Sequence, residues 1–121
     1  MTTMLYTETH LMKLREWVQI DNLDWEGLSR NPNAIQLLEK NLDKVYWSQL
    51  SANPNPNAIH ILEQNLDKMT TVSCWAWLSS NPNAIRLLEK NLDKVNWASL
   101  SYNPNIFTYD YKAMKDRMFN N

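Results

Sequence analysis

The stretch NPNAIQLLEKNLDKV, residues 31–45, constrains this chain more than any other feature, because it comes back. It returns as NPNAIHILEQNLDKM from Asn55 and as NPNAIRLLEKNLDKV from Asn81, and a shortened copy, NPNIF, opens at Asn103. A Trp-x-x-Leu-Ser unit precedes each copy: Trp25-Leu28-Ser29, Trp47-Leu50-Ser51, Trp75-Leu78-Ser79 and Trp97-Leu100-Ser101. Units this short have no core of their own, so neighbouring copies must bury equivalent faces against one another.

Within one copy the residues predict a helix. Asn31 stands at the N-cap, where its side-chain oxygen can accept from a free N–H of the first turn; Asn55, Asn81 and Asn103 are its equivalents. Pro32 comes next, at the first helical position, where a missing N–H costs nothing. Ala34, Ile35, Leu37 and Leu38 make an apolar face, with Gln36, Glu39 and Lys40 on the other side. Asn41, Asn65 and Asn91 are predicted to stop the helices in the left-handed conformation, a task left to Asn in a chain with 1 Gly. Each such helix is expected to run for about ten residues.

The Trp-x-x-Leu-Ser unit predicts a second, shorter helix, since Trp47 and Leu50 are three apart and share a helical face. Asp24 and Asn96 are good N-caps before Trp25 and Trp97, whereas Tyr46 and Cys74 are not. An alternative is open: Leu42, Val45, Trp47 and Leu50 fall at the strand spacing of leucine-rich repeats, although that pattern has Asn where Leu50 stands.

Spacing then limits the architecture. The tryptophans at Trp25, Trp47, Trp75 and Trp97 are 22, 28 and 22 residues apart. The long interval holds two additions, a doubled Asn-Pro at residues 53–56 and extra residues in MTTVSC before Trp75. A unit of this length is too short for tetratricopeptide or ankyrin repeats, which need about 33–34 residues. The expected fold is all-α: a short-repeat α-solenoid of two-helix units with capping helices at both ends. The alternative is a leucine-rich-repeat-like α/β solenoid. Residues 1–121 form a single repeat domain in this reading, with an opening cap at 10–22, repeats at 23–44, 45–68 and 69–94, and a last short helix with a closing cap at 95–121. Leu11, Leu14, Trp17 and Val18 supply the apolar stripe of the opening cap, and Phe107, Tyr111, Met114 and Met118 that of the closing one. Trp25, Trp47, Trp75 and Trp97, each with its partner Leu28, Leu50, Leu78 or Leu100, form the expected core column.

Charge and cysteine content exclude several classes. The net charge is −1 and the pI about 6.1, so no global basic field draws nucleic acid or an anionic membrane. A single cysteine, Cys74, allows no internal disulfide and suits a reducing compartment. The opening MTTMLYTETH lacks the apolar run of a signal peptide, and no stretch approaches the length of a membrane span. The protein is expected to be soluble and intracellular, in a host cytoplasm or a virion, and not secreted.

The strings KLREWV, DWEGLSRNPNAIQLLEKN and NPNIFTYDYKAMK resemble the tandem short-repeat proteins encoded by giant double-stranded DNA viruses of protists, over roughly residues 11–118. That resemblance implies a virus-encoded repeat protein and brings no catalytic residue with it. The letters NPNA also occur in malaria-parasite surface repeats, but without a helix between them, and nothing is carried over from that match.

No catalytic, metal or cofactor site is expected. The chain has 2 His, His10 and His60, and 1 Cys, whereas zinc calls for clustered Cys and His. Nothing in the sequence orients a Cys74–His60 nucleophile pair. Glu39, Asp43, Glu63, Asp67, Glu89 and Asp93 recur with the repeat, as solvated or capping residues do. There is no Gly-rich loop to cradle a phosphate. An Asn column that bonds from copy to copy would be structural as well.

What differs between copies points to a partner. Gln36, His60 and Arg86 occupy one outward place of otherwise near-identical helices. Gly27, Gln49, Trp77 and Ser99 share a second variable place, and Arg30, Ala52, Ser80 and Tyr102 a third. Trp77 lies two residues past the core Trp75 and should point away from it. Gln36, His60, Trp77, Arg86, Tyr102 and Arg30 are therefore the candidate partner-binding residues. The expected function is non-catalytic protein–protein recognition or scaffolding. One alternative is a structural or virion component that associates with itself. Another is a single-stranded nucleic-acid reader taking one base per repeat, against which the near-neutral charge weighs.

Overall fold

The computed structural model describes residues 12–119, and among them the chain is helical with no strand. The Trp-x-x-Leu-Ser units form four helices: α1 (Trp25–Arg30), α3 (Trp47–Ser51), α5 (Val72–Ser79) and α7 (Trp97–Leu100). The leucine-rich-repeat alternative, which needs a strand at this place, is set aside. The Asn-Pro segments lead into α2 (Ile35–Glu39), α4 (Ala58–Glu63) and α6 (Ile85–Glu89), and α8 (Tyr111–Phe119) lies at the end. Each of α2, α4 and α6 runs into a one-turn 3₁₀ helix of sequence Leu-Asp-Lys: Leu42–Lys44, Leu66–Lys68 and Leu92–Lys94.

The short helices α1, α3, α5 and α7 pack side by side in chain order, and α2, α4 and α6 each pack on the short helix before them. Their shared interior is one apolar cluster. Leu38, Leu50, Leu62 and Leu78 are fully buried in it, with Ile35, Ile61, Leu87 and Trp75 around them. Trp25, Leu28, Trp47 and Leu100 are half-buried against the same cluster. A fully buried leucine contributes roughly 1.5–3 kcal/mol relative to exposure, so this cluster is the main source of stability.

A ladder of asparagines ties the copies together. The Asn53 amide donates to the carbonyls of Ser29 (3.0 Å) and Asn31 (3.1 Å). Asn81 donates in the same way to Ser51 (2.9 Å) and Asn53 (3.1 Å), and Asn103 to Ser79 (3.0 Å) and Asn81 (2.8 Å). The serine carbonyls lie in the last turns of α1, α3 and α5, where no intrahelical donor is left, and the asparagine carbonyls lie just beyond the same helix ends. Meanwhile the Oδ1 of each asparagine accepts from the N–H two residues on, as an N-cap does: Asn31 from Asn33, Asn53 from Asn55, Asn81 from Asn83 and Asn103 from Asn105. One side chain therefore closes the helix of the preceding copy and opens the next segment of its own. Asp lacks the donors for this and Ser lacks the reach, which is why the residue is Asn. A second rail runs beside the first, with the amides of Asn55, Asn83 and Asn105 donating to the carbonyls of Pro32 (2.7 Å), Pro54 (3.0 Å) and Pro82 (2.6 Å).

The doubled Asn-Pro now has an explanation. Asn53, not Asn55, is the fully buried rung equivalent to Asn31, Asn81 and Asn103. Asn55 serves the second rail and still accepts from Asn57 N–H at 2.9 Å. Buried serines add a third link. The Ser29 hydroxyl donates to the Trp25 carbonyl (2.8 Å) and accepts from Tyr46 N–H (2.9 Å), at the entry to α3. Ser79 accepts likewise from Asn96 N–H (3.0 Å), at the entry to α7.

Besides the helices after the Asn-Pro starts, which have 5 or 6 residues and not about ten, four expectations are corrected. Asn41, Asn65 and Asn91 are not left-handed; their φ values are −138°, −136° and −138°. Their amides instead donate to the carbonyls four residues back, Leu37 (2.9 Å), Ile61 (2.7 Å) and Leu87 (2.9 Å), so the side chain satisfies the last turn and no αL residue is needed. The opening cap is the second. Residues 12–22 hold a turn closed by Val18 N–H on the Arg15 carbonyl and a 3₁₀ turn, Ile20–Asn22, but no α-helix, with Leu14 and Trp17 exposed; His10 and Leu11 lie outside the described residues. Without an apolar face to pack on, a helix this short is marginal. The third is the closing cap. Tyr111–Phe119 is helical, started by Asp110 accepting from Ala113 N–H at 2.9 Å, but Phe107, Tyr111, Met114 and Met118 are all exposed and none joins the apolar core. The fourth is Trp97, which is 65% exposed where Trp75 is 8% exposed. Trp75 is flanked by the next Leu-Asp-Lys turn, with Lys94 Nζ 5.9 Å from its ring centre, and its indole N–H donates to the Met69 carbonyl at 3.2 Å. Trp97 has no such turn after it, because the last copy stops at NPNIF.

Candidate partner-binding surface

Trp77 and Arg30 meet although α3 lies between their helices in the chain. The Arg30 guanidinium carbon lies 4.5 Å from the Trp77 ring centre, and its Nη1 donates to Gln49 Oε1 at 3.4 Å. The Gln49 amide in turn donates to Glu26 Oε1 at 3.4 Å. Residues from α1, α3 and α5 thus form one aromatic–cationic patch. Two of the three variable places build it, since Gln49 and Trp77 belong to one and Arg30 to the other. Trp77 is 41% exposed, as its position two residues past Trp75 predicts. A guanidinium stacked on an indole holds both side chains in place while leaving the guanidinium edge free to donate. Among the described residues Arg30 makes no ion pair, so its charge remains available to a carboxylate from outside.

Tyr102 is 84% exposed and belongs to the same variable place as Arg30, three copies on. Among the described residues no hydrogen bond or ring contact joins it to Trp77. Gln36, His60 and Arg86 lie apart from this patch, on α2, α4 and α6. Gln36 is half-buried and accepts from Met12 N–H at 3.3 Å, so it holds the opening segment and is not a free reader. His60 and Arg86 are exposed.

Arg86 lines a second feature, a groove of about 770 Å³ at the far end of the packed helices, together with Leu92, Val95, Trp97, Ile106 and Phe107. Sequence reasoning missed it. The signal was present, because a last copy cut short at NPNIF leaves uncovered whatever a further copy would have covered.

Cys74 is buried with its thiol 3.3 Å from Thr71 Oγ1, while His60 is exposed on α4, and no hydrogen bond joins the two. Among the described residues no group of three or more His, Cys, Asp or Glu side chains converges. No helix among them is long and apolar enough to cross a membrane. Comparison with protein-family models, with characterised proteins and with solved structures finds no match to this chain.

Proposed function

We propose that this chain is a short-repeat α-solenoid that acts as a non-catalytic protein-recognition module, using the Arg30–Gln49–Trp77 patch extended toward Tyr102. The observation that carries this reading is the half-exposed Trp77 indole under the Arg30 guanidinium. A stack of near-identical units needs its core residues fixed; it can vary only where stacking does not decide, and the largest variation is here. Trp, Tyr and Arg are the residue types that dominate interface energy. Arg30, which makes no ion pair among the described residues, favours a partner that offers a carboxylate beside an apolar side chain. The resemblance to giant-virus repeat proteins makes an infected protist cell the setting for the search.

The test is capture from infected-cell lysate by the parent protein and by a combined Trp77→Ala, Arg30→Ala, Tyr102→Ala variant. The variant should keep its helical circular dichroism and lose a protein that the parent captures, with Trp77 contributing about 2 kcal/mol of the binding energy. A variant that retains every captured protein would put recognition on another face.

A further inference from the structure

The first and last of the packed copies carry complementary open groups among the described residues. At the start, Asn31 and Asn33 occupy the first places of the two asparagine rails. Among the described residues their amides reach no carbonyl, whereas Asn53, Asn81 and Asn103, and Asn55, Asn83 and Asn105, all do. At the other end, the carbonyls of Ser101, Asn103 and Pro104 stand where those of Ser29, Asn31 and Pro32 stand in the first copy. No asparagine amide among the described residues reaches them.

The apolar surfaces match this polarity. The groove at the end, lined by Leu92, Val95, Trp97, Ile106 and Phe107, is open because no Leu-Asp-Lys turn comes after Trp97. A turn of the same kind precedes α1. Ile20–Asn22 is a 3₁₀ turn whose next N–H, that of Leu23, donates back to Ile20 at 3.0 Å, just as Val45 N–H donates to Leu42 after Leu42–Lys44. Leu23, Val45 and Trp25 line one shared groove, whereas Trp97 lines its groove with Val95 and no residue of a later Leu-Asp-Lys turn. Residues 97–105 correspond to the front of a copy, and residues 20–23 correspond to the tail of one.

We propose that a second copy of this chain docks on the groove head to tail, continuing both asparagine rails. Asn31 of the incoming copy donates to Ser101 and Asn103 of the first, Asn33 donates to Pro104, and the turn at Ile20–Asn22 covers Trp97. The contact is the one already made three times inside the chain, so no new chemistry is needed. It is heterologous, and it repeats at every free end, so the product is an open-ended stack and not a closed pair. This inference rests on the stacked-copy reading proposed above.

Sedimentation velocity of the full chain across a concentration series tests it, with one variant per end. Asn33→Glu removes a donor and sets a carboxylate against the Pro104 carbonyl; the position is exposed and in a first helical turn, where an acid is tolerated. Trp97→Glu places a charge in the open groove. The parent should show species that grow past the dimer as concentration rises. Each variant alone should stay monomeric, and an equimolar mixture should stop at the dimer, because one intact donor end meets one intact acceptor end. A parent that remains monomeric throughout overturns the proposal. So does a parent dimer that grows no further, or a mixture of the two variants that forms no dimer. Asn33→Ala and Phe107→Ser replace either variant should its circular dichroism melt differ from the parent's. Trp77→Ala should associate as the parent does, so failure of the recognition patch and failure of the end-to-end contact give different results.

Discussion

Replacing Asn53 tests the asparagine ladder most directly, because two substitutions separate its donors from its acceptor. Asn53→Ala takes away the donor that reaches the Ser29 carbonyl, in a fully buried residue at the end of α1. Orphaning a buried carbonyl costs about 1–3 kcal/mol. The Asn55 N–H also loses its acceptor at 2.9 Å, a capping loss of about 1 kcal/mol. The Asn31 carbonyl keeps Ala34 N–H at 3.1 Å and adds little. The expected loss is about 2–4 kcal/mol, a fall in melting temperature of roughly 8–15 °C for a domain of this size. Asn53→Asp keeps the acceptor and the shape but turns an oxygen, charged at neutral pH, toward two carbonyls. An uncompensated buried charge costs about 3–5 kcal/mol, so this variant should melt lower still. Burial and the facing oxygens raise the introduced carboxyl's folded-state pKa above its ordinary value of about 3.9. The folded state then binds more protons than the unfolded one, so stability relative to the parent falls as pH rises from about 4 and recovers as pH is lowered. Asn33→Ala, in the second rail but reaching no carbonyl among the described residues of its own chain, should change the stability of the monomer by less than about 0.5 kcal/mol. Thermal melts followed by circular dichroism at two pH values decide the matter. An Asn53→Asp variant melting within about 2 °C of the parent at neutral pH would refute the ladder as a source of stability.

Three further outcomes are expected. Trp75→Ala should lower stability by about 3–5 kcal/mol through lost burial and a cavity, and Trp97→Ala by less than about 1 kcal/mol; equal shifts in urea midpoint would contradict the burial assigned to them. Gly27→Ala should raise stability by about 0.5–1 kcal/mol, since a Cβ there meets nothing within 4 Å and α1 gains a better helix former; a drop in melting temperature would count against this. Ser79→Ala should cost about 1–2 kcal/mol and speed hydrogen exchange at the Asn96 amide, which loses its acceptor; unchanged exchange at that amide would show that the bond is not protective.

Local chemistry is the legible part of this sequence. The Asn-Pro starts, the helical Trp-x-x-Leu-Ser units and the two additions in the long interval all arise from residues acting over a few positions. The repeated asparagines allow a column between copies, but they do not reveal that Asn53 is its rung in place of Asn55, because both satisfy the same capping rule. The stops at Asn41, Asn65 and Asn91 differ from expectation because Asn can end a helix through its backbone or through its amide, and the sequence does not distinguish the two. The largest misses are at the ends. Leu14, Trp17, Phe107, Tyr111, Met114 and Met118 recur at helical spacing, yet periodicity marks an apolar stripe without saying that anything is present for it to pack on. Trp97 resembles Trp75 in its local motif, and its exposure comes from the missing turn beyond NPNIF. The Arg30–Trp77 contact is likewise illegible as a pair, since it joins residues from two variable places across an intervening helix.

The asparagine rails separate register from length. The rungs Asn53 and Asn81 are 28 residues apart and the others 22, yet Asn81 reaches its carbonyls at 2.9 and 3.1 Å, within the range of its neighbours. Six additional residues were accommodated without moving a rung, two after Asn55 and four ahead of Trp75. Pitch is therefore set at discrete points, and the chain between them is free to lengthen. A foreign peptide grafted at the exposed Thr70, between the Leu66–Lys68 turn and the Thr71 cap of α5, would be carried on the outside of the array with its spacing to every other copy preserved.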